Sequence, residues 1–248
     1  MKKHTWVIRG ILLGVYCLVA QLTYAQTLKE VIALHQKSVQ TTSKSKLTSM
    51  VLKGTTTMGG MEFATQVYRK APHFFKVEVT IQGKTLVNAY DGVNAWKIYP
   101  FPGGSDKPQY MAGAAKTSTI IDADFDYEFI NAAKKGHKAT LEGTEEVEGT
   151  TCYKIKVVRK DQQVKAFFLD TDSGVLIMVR GKSVHPMKPD VLVEKETYQS
   201  DFKEVEGYMI AHYMEERIDG KVIAKMQFDS VQVNEKISNK IFTFSEKQ

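Results

Sequence analysis

The chain has 248 residues, 43% hydrophobic and 25% charged, with a formal net charge of +6. Its basic residues are spread along the sequence instead of being gathered in a stripe, which argues against a nucleic-acid footprint. With only two cysteines, Cys17 and Cys152, no disulfide framework is expected, so a hydrophobic core has to hold the fold.

Residues 1–25 read as a targeting segment. Lys2, Lys3 and Arg9 give a basic start, Gly10 to Leu22 a short apolar run, and Thr23-Tyr24-Ala25 a small-residue end before Gln26. The run is shorter than the roughly 20 apolar residues a spanning helix needs. Cys17 is a poor lipid-bearing cysteine, because Tyr16 stands where that processing requires a small side chain. The expectation is a signal peptide cleaved after Ala25 and a free protein in the periplasm. The lost segment carries three basic and no acidic residues, which lowers the formal charge from +6 to +3. The remaining ~220 residues suit a single domain, 26–248, with Cys152 as its one thiol.

Thr27 to Val39 predicts an amphipathic helix: Leu28, Val31, Ile32 and His35 recur at helical spacing, Thr27 can act as N-cap, and Glu30 completes a capping box. From Leu47 the pattern becomes β. Short runs rich in Val, Thr, Phe and Tyr are separated by turns at Met58-Gly59-Gly60, Gln82-Gly83-Lys84, Tyr90-Asp91-Gly92, Val147-Glu148-Gly149, Asp172-Ser173-Gly174, Val205-Glu206-Gly207 and Asp219-Gly220. Phe75, Val77, Val79 and Ile81 share one face of their strand, as do Thr151, Tyr153, Ile155 and Val157, and Val164, Ala166 and Phe168. This predicts a sheet with one apolar and one polar face.

Between Pro100 and Lys135 the strand pattern stops. A Pro/Gly loop and short helical pieces carry Ile120, Ile121, Phe125, Phe129 and Ile130, which need cover and predict a helical lid packed across the sheet.

Signals for chemistry are weak. Asp122, Asp124 and Asp126 resemble half a calcium loop, but Tyr127 replaces its glycine and Ala133 its final glutamate. The histidines lack zinc-site spacing. Cys152 lies mid-strand with no assignable base, and no nucleophile elbow or nucleotide fingerprint occurs. A dispersed acid/base site would need two or more of His137, His212, Glu194, Glu196, Glu215 and Glu216 to meet in a pocket. No metal, cofactor or enzymatic activity is expected.

Aromatic and methionine residues exceed what a one-sided sheet requires. Either they fill a core, which composition alone favours, or they line an apolar cavity. The lining expected in the second case is Phe63, Phe75, Val77, Val79, Trp96, Ile98, Tyr153, Ile155, Phe168, Met178 and Met209.

Residues 63–104 carry a recognisable arrangement: Lys70-Ala71-Pro72-His73-Phe74-Phe75, an alternating strand, Tyr90-Asp91-Gly92 with Trp96, then Tyr99-Pro100-Phe101. It resembles the outer-membrane lipoprotein-sorting proteins, the LolA-like and LolB-like family. The later Asp201-Phe202-Lys203 with Val205-Glu206-Gly207 is similar to members from Bacteroidetes-type bacteria. The resemblance implies a mainly β (α+β) fold, a curved antiparallel half-barrel of about ten or eleven strands with an N-terminal helix and a helical lid over the concave face. It also implies a monomeric carrier of acyl chains of lipoproteins or lipids, with inner- and outer-membrane sorting components as partners. Family carriers have an Arg directly before the Pro that helps latch the lid. Here that position is Ala71, and Arg69 and Lys70 are the nearby candidates. The alternative is an envelope scaffold with a filled core and no lipid cargo.

Overall fold

Local chemistry fixes the first helix, α1 (Leu28–Val39). The Glu30 amide donates to Thr27 Oγ1, and the Thr27 amide donates back to Glu30 Oε2 at 2.7 Å, closing the expected capping box and burying Val31 and His35. The computed structural model describes residues 26–185 and 188–244, so the expected signal peptide lies outside the described residues.

A first meander follows, with β1 (Ser49–Met58), β2 (Met61–Lys70), β3 (Phe74–Ile81), β4 (Lys84–Tyr90), β5 (Ala95–Tyr99) and β6 (Ser105–Tyr110). After α2 (Gly113–Ala123) and a short 3-10 turn (Ala132–Lys135) comes a second meander. It comprises β7 (Lys138–Val147), β8 (Thr150–Val158), β9 (Val164–Asp170), β10 (Leu176–His185), β11 (Lys188–Val205), β12 (Tyr208–Ile218) and β13 (Lys221–Val233). Each of the seven expected glycine turns joins two successive strands. There are thirteen strands instead of ten or eleven. One of the extra strands, β6, falls inside the stretch read as strand-free. It pairs only with β5 and contains Pro108, which has no amide to donate, so its pattern is faint.

All thirteen strands form one antiparallel sheet in the order β6-β5-β4-β3-β2-β1-β13-β12-β11-β10-β9-β8-β7. The β1–β13 pairing welds the meanders together. At that seam the ladder shifts register between Lys53 and Gly54, and a Cβ on Gly54 would fall 1.9 Å from the Gln227 carbonyl oxygen. Only glycine permits so close an approach.

This order leaves β6 and β7, which are consecutive in the chain, at opposite edges of the sheet. The segment between them must therefore cross one face. It does so with α2, which rests against β3, β4 and β5 and also against β10. On a flat sheet β5 and β10 would lie eight strand spacings, roughly 38 Å, apart. A helix of eleven residues is about 16 Å long, so it touches both only because the sheet curves around it. The face carrying α2 is the inner, concave one.

Cross-strand pairs place side chains on a common face, so the register divides the residues between the two faces. Phe75, Val77 and Val79 point inward with Arg69, Val67 and Thr65 opposite them on β2. Tyr153, Ile155, Phe167 and Leu169 do the same farther along. The expected contrast of one apolar and one polar face fails in two places. On the outer face of β8–β10, Cys152, Phe168 and Met178 form a second fully buried cluster. On the outer face of β4 and β5, Val87, Ala89 and Trp96 form another.

Candidate functional site: the gap beneath α2

The inner face of the second meander is filled where α1 and Phe129 cover it. Val31 from α1 packs with Phe129, Ile130, Ile155, Val157, Phe167, Leu169 and Leu176. The Phe129 ring meets Phe167 at 5.0 Å and His35 at 5.3 Å. Phe129 and Ile130, expected in the lid, thus belong to the permanent core. His35 Nδ1 lies 2.9 Å from the Gly174 carbonyl, and burial lowers its pKa. Gly174, at φ +77°, lets the β9–β10 turn lie against Leu34, which a Cβ there would meet at 2.7 Å.

Of the expected lid residues, α2 carries Ile120 and Ile121. One side of this helix is packed: Ala123 is buried, and the buried Thr119 donates to Ala115 O and Met111 Sδ against the first meander. Its other side, with Ala114, Thr117, Ser118, Ile121 and Asp122, faces the second meander, touches it at β10 and encloses with it a cavity of about 200 Å³. The opposite wall is Lys165, Val179, Gly181, Lys195 and Thr197. Ile120 is exposed to solvent.

Arg69 holds the far end of the helix. Its Nη2 donates to the Asp124 carbonyl at 2.6 Å and to the Asp122 carbonyl at 3.4 Å, and its guanidinium lies 5.8 Å from the Phe125 ring centre. A cation at the carbonyl end of a helix is favoured by the helix dipole. Arg69 Nε is buried without a partner, so the contact holds the helix end through one nitrogen only. Lys70, next in sequence, points to the other face. Its Nζ donates to Ile237 O and Asn239 Oδ1, both at 2.7 Å. Of the two latch candidates, only Arg69 reaches the lid.

Lys70 instead holds the C-terminal strap, residues 234–244, which runs over the outer face of the first meander. Ser49 Oγ donates to Glu235 O at 2.8 Å, and Trp96 Nε1 to Phe242 O at 2.7 Å. Phe242 packs on Phe74 at 5.4 Å and Phe244 on Trp96 at 5.3 Å. Trp96 and Ile98 therefore do not join Phe75, Val77 and Val79 but sit on the opposite side of the sheet. Beside the strap they floor an outer groove of about 810 Å³ with Val87, rimmed by Lys53, Lys84 and Asp106. Phe168 and Met178 are also outward, and by alternation so is Met209, opposite Glu204. Phe63 and Tyr153 share the inner face with Phe75 and Ile155. The single lining expected from the sequence is thus split between two faces.

The electrostatics of the gap are the feature that sequence reading missed. Lys165 donates to Glu128 at 2.7 Å and Lys195 pairs with Glu216 at 2.6 Å. Burial raises the Glu128 pKa, but Lys165 and Arg159 outweigh it and hold the carboxyl below its usual range. Burial works against the Lys195 ammonium, and Glu216 and Asp122 more than offset it. Asp122 lines the gap, desolvation between the helix and the sheet raises its carboxyl pKa against the pull of Lys195 and Lys165, and among the described residues no ion pair joins it. The carboxylates and histidines considered for acid/base work are dispersed. Glu196 pairs with Arg180, Glu215 with Arg217 and Glu216 with Lys195, while His137 and His212 bind main-chain groups far from one another. Asp124 is held by Lys135 at 2.7 Å. Among the described residues no cluster of three metal-ligating side chains occurs.

A family model described as "-like: Uncharacterized protein" matches residues 74–246, from β3 to beyond the strap. The chain belongs to that family. Among the solved structures that share this fold are two that align over most of both chains. A LolA superfamily protein, NE2245 of Nitrosomonas europaea, is 14% identical and aligns over 89% of this chain and 99% of that one, with a TM-score of 0.57. A DUF1329 family protein of Desulfovibrio piger is 15% identical over 88% and 98%, with a TM-score of 0.58. The open, curved thirteen-stranded sheet with its two helices is a LolA-like fold. No curated protein matches the chain in sequence.

Proposed function

We propose that this LolA-like protein is a non-catalytic carrier that takes acyl chains of lipoproteins or lipids between α2 and the inner face of its sheet. Its place of work is the periplasm, reached by cleavage after Ala25, and its task the sorting of lipoproteins to the outer membrane. The observation that carries this reading is the attachment of α2: packed on the first meander, clipped at its end by Arg69, and meeting the second only at β10, beside a gap. The gap of about 200 Å³ is smaller than the roughly 300–1,000 Å³ of ligand pockets, so this is a closed state and loading requires α2 to move.

The magnitudes permit that movement. Each methylene taken out of water contributes about 0.8 kcal/mol, so burying most of one acyl chain yields on the order of 10 kcal/mol. Releasing the Arg69 contacts costs about 1.5–3 kcal/mol for each charged hydrogen bond. Phe63, Phe75, Val77 and Val79 are the inner-face residues that the opened lid would present to cargo.

The test is mass spectrometry under mild ionisation on protein purified without detergent from its native envelope, with sequencing of its N-terminus. Co-purifying acylated species, lost in Phe75→Glu, and an N-terminus at Gln26 are expected. Protein that arrives empty and takes up no fluorescent fatty-acyl probe would replace the carrier with the scaffold reading.

A further inference from the structure

The walls of the gap are mostly apolar but carry polar side chains that a chamber for hydrocarbon does not need. Thr117, Ser118 and Asp122 project from α2, facing Lys165, Lys195 and Thr197 on the sheet, with Ile121 and Val179 between them. Lys165 and Lys195 already have a carboxylate partner, Glu128 and Glu216 respectively, and Lys182, the third lysine of the lining, balances Asp122 in formal charge. Each ammonium has three N–H donors, so each retains capacity for a ligand acceptor while its charge is neutralised locally. Lys195 in particular pairs with Glu216 at 2.6 Å and lines the same gap as Asp122. The carboxyl left over, that of Asp122, projects from the lid itself. The resulting site offers N–H and O–H donors to oxygen acceptors, and its three lysines, set against Asp122, Glu128 and Glu216, leave no net formal charge to draw in an anion while Asp122 opposes one directly.

We infer that the gap is a head-group site, and that the amphiphile bound there carries a neutral, oxygen-rich head such as a glyceryl ester, with the carboxylate of a free fatty acid disfavoured. Ester carbonyls and hydroxyls accept from Lys165, Lys195 and the hydroxyls of Ser118 and Thr197, while Thr117 Oγ1, which donates to Gly113 O at 3.2 Å, accepts from a glyceryl hydroxyl. A glyceryl hydroxyl donates to Asp122. The acyl chain then runs along the inner face toward Val77 and Val79. This assignment rests on the carrier reading and gives it a substrate class.

The experiment measures displacement of a headless fluorescent hydrocarbon probe, diphenylhexatriene, from protein beginning at Gln26. The competitors are a monoacylglycerol and a fatty acid of equal chain length. The monoacylglycerol is expected to displace the probe at about a tenfold lower concentration. Asp122→Asn should narrow that ratio by improving the fatty acid, because a like charge is removed from beside its carboxylate. Lys195→Met should weaken the monoacylglycerol and leave the headless probe unchanged. Since losing Lys195 strands Glu216, the double variant Thr117→Val, Ser118→Ala provides the same readout without disturbing an ion pair. Equal displacement by both competitors, unaltered by these substitutions, would overturn the head-group site and leave the carrier standing. Failure of all three ligands to bind the unaltered protein would overturn the carrier.

Discussion

The two meanders are built from the same alternation and joined in one sheet, yet they seal their faces differently. Around Phe167 and Phe168 the second is solid through both sides. Its inner face is filled by α1, Phe129 and Phe167, and its outer cluster of Cys152, Phe168 and Met178 lies under charged side chains. Arg180 sits 4.9 Å above the Phe168 ring while pairing with Glu145 and Glu196. The first meander is sealed by pieces of chain, the strap outside and α2 inside. Residues packed by a separate segment can be uncovered without dismantling the sheet. Where Phe167 and Leu169 of the strands interlock with α1 and Phe129 in one core, no piece can lift away without opening that core. The difference separates a stable wall from a movable one.

The largest effect should come from breaking the solid side. Phe129→Ala removes a ring in contact with Phe167, His35 and Tyr127 and is expected to cost about 3–5 kcal/mol in denaturant unfolding. Phe242→Ala, which loosens the strap, should cost about 3 kcal/mol. It should also shift the emission of Trp96 to the red. Trp6 belongs to residues 1–25, so in protein starting at Gln26 Trp96 is the only indole and reports the strap alone. If Phe242→Ala left that emission unchanged, the strap would not be the seal.

A smaller effect is expected from acid. His35 is held neutral by burial, so its pKa in the folded chain lies below the ordinary value near 6.5. The unfolded chain then takes up the proton first. Stability is complete above about pH 6.5 and falls as pH drops through the folded value, and Tm measured from pH 7 to pH 5 should show the decline. His35→Gln should flatten it, with the Gly174 turn still in place. The smallest effect is predicted for the charged roof. Arg180→Met should change stability by less than about 1 kcal/mol, because partly exposed ion pairs contribute little, and the difference should vanish at high salt.

The local features of this molecule were legible in the sequence and the long-range ones were not. The capping box and the seven turns depend on residues within a few positions of each other, so Thr27, Glu30 and the glycines announce them. Facing is different. The spacing of Trp96 and Ile98 shows that they share a side of β5. The side they share depends on the turn at Asp91–Asn94, where Asp91 Oδ1 accepts from both the Val93 and Asn94 amides and sets the pairing of Ala89 with Trp96. Arg69 and Lys70 show the same limit. Alternation says that they point oppositely, and a reading from Phe75, its cross-strand partner, would have put Arg69 on the lid side. The strap could not be anticipated, because IFTF at residues 241–244 carries the same alternation as any strand.

The order of the sheet also bears on how it assembles. Its central pair, β1 and β13, comes from opposite ends of the described chain, with partners such as Met50 and Val233 brought side by side. A polypeptide emerging N-terminus first can build the first meander at once, but one flank of β1 stays open until β13 arrives some 160 residues later. Pairings this distant in sequence form slowly. Throughout that interval Met50 and Leu52 lie along a bare strand edge, the kind of surface on which chains join one another, so yield during synthesis should depend on how quickly the last strand is delivered.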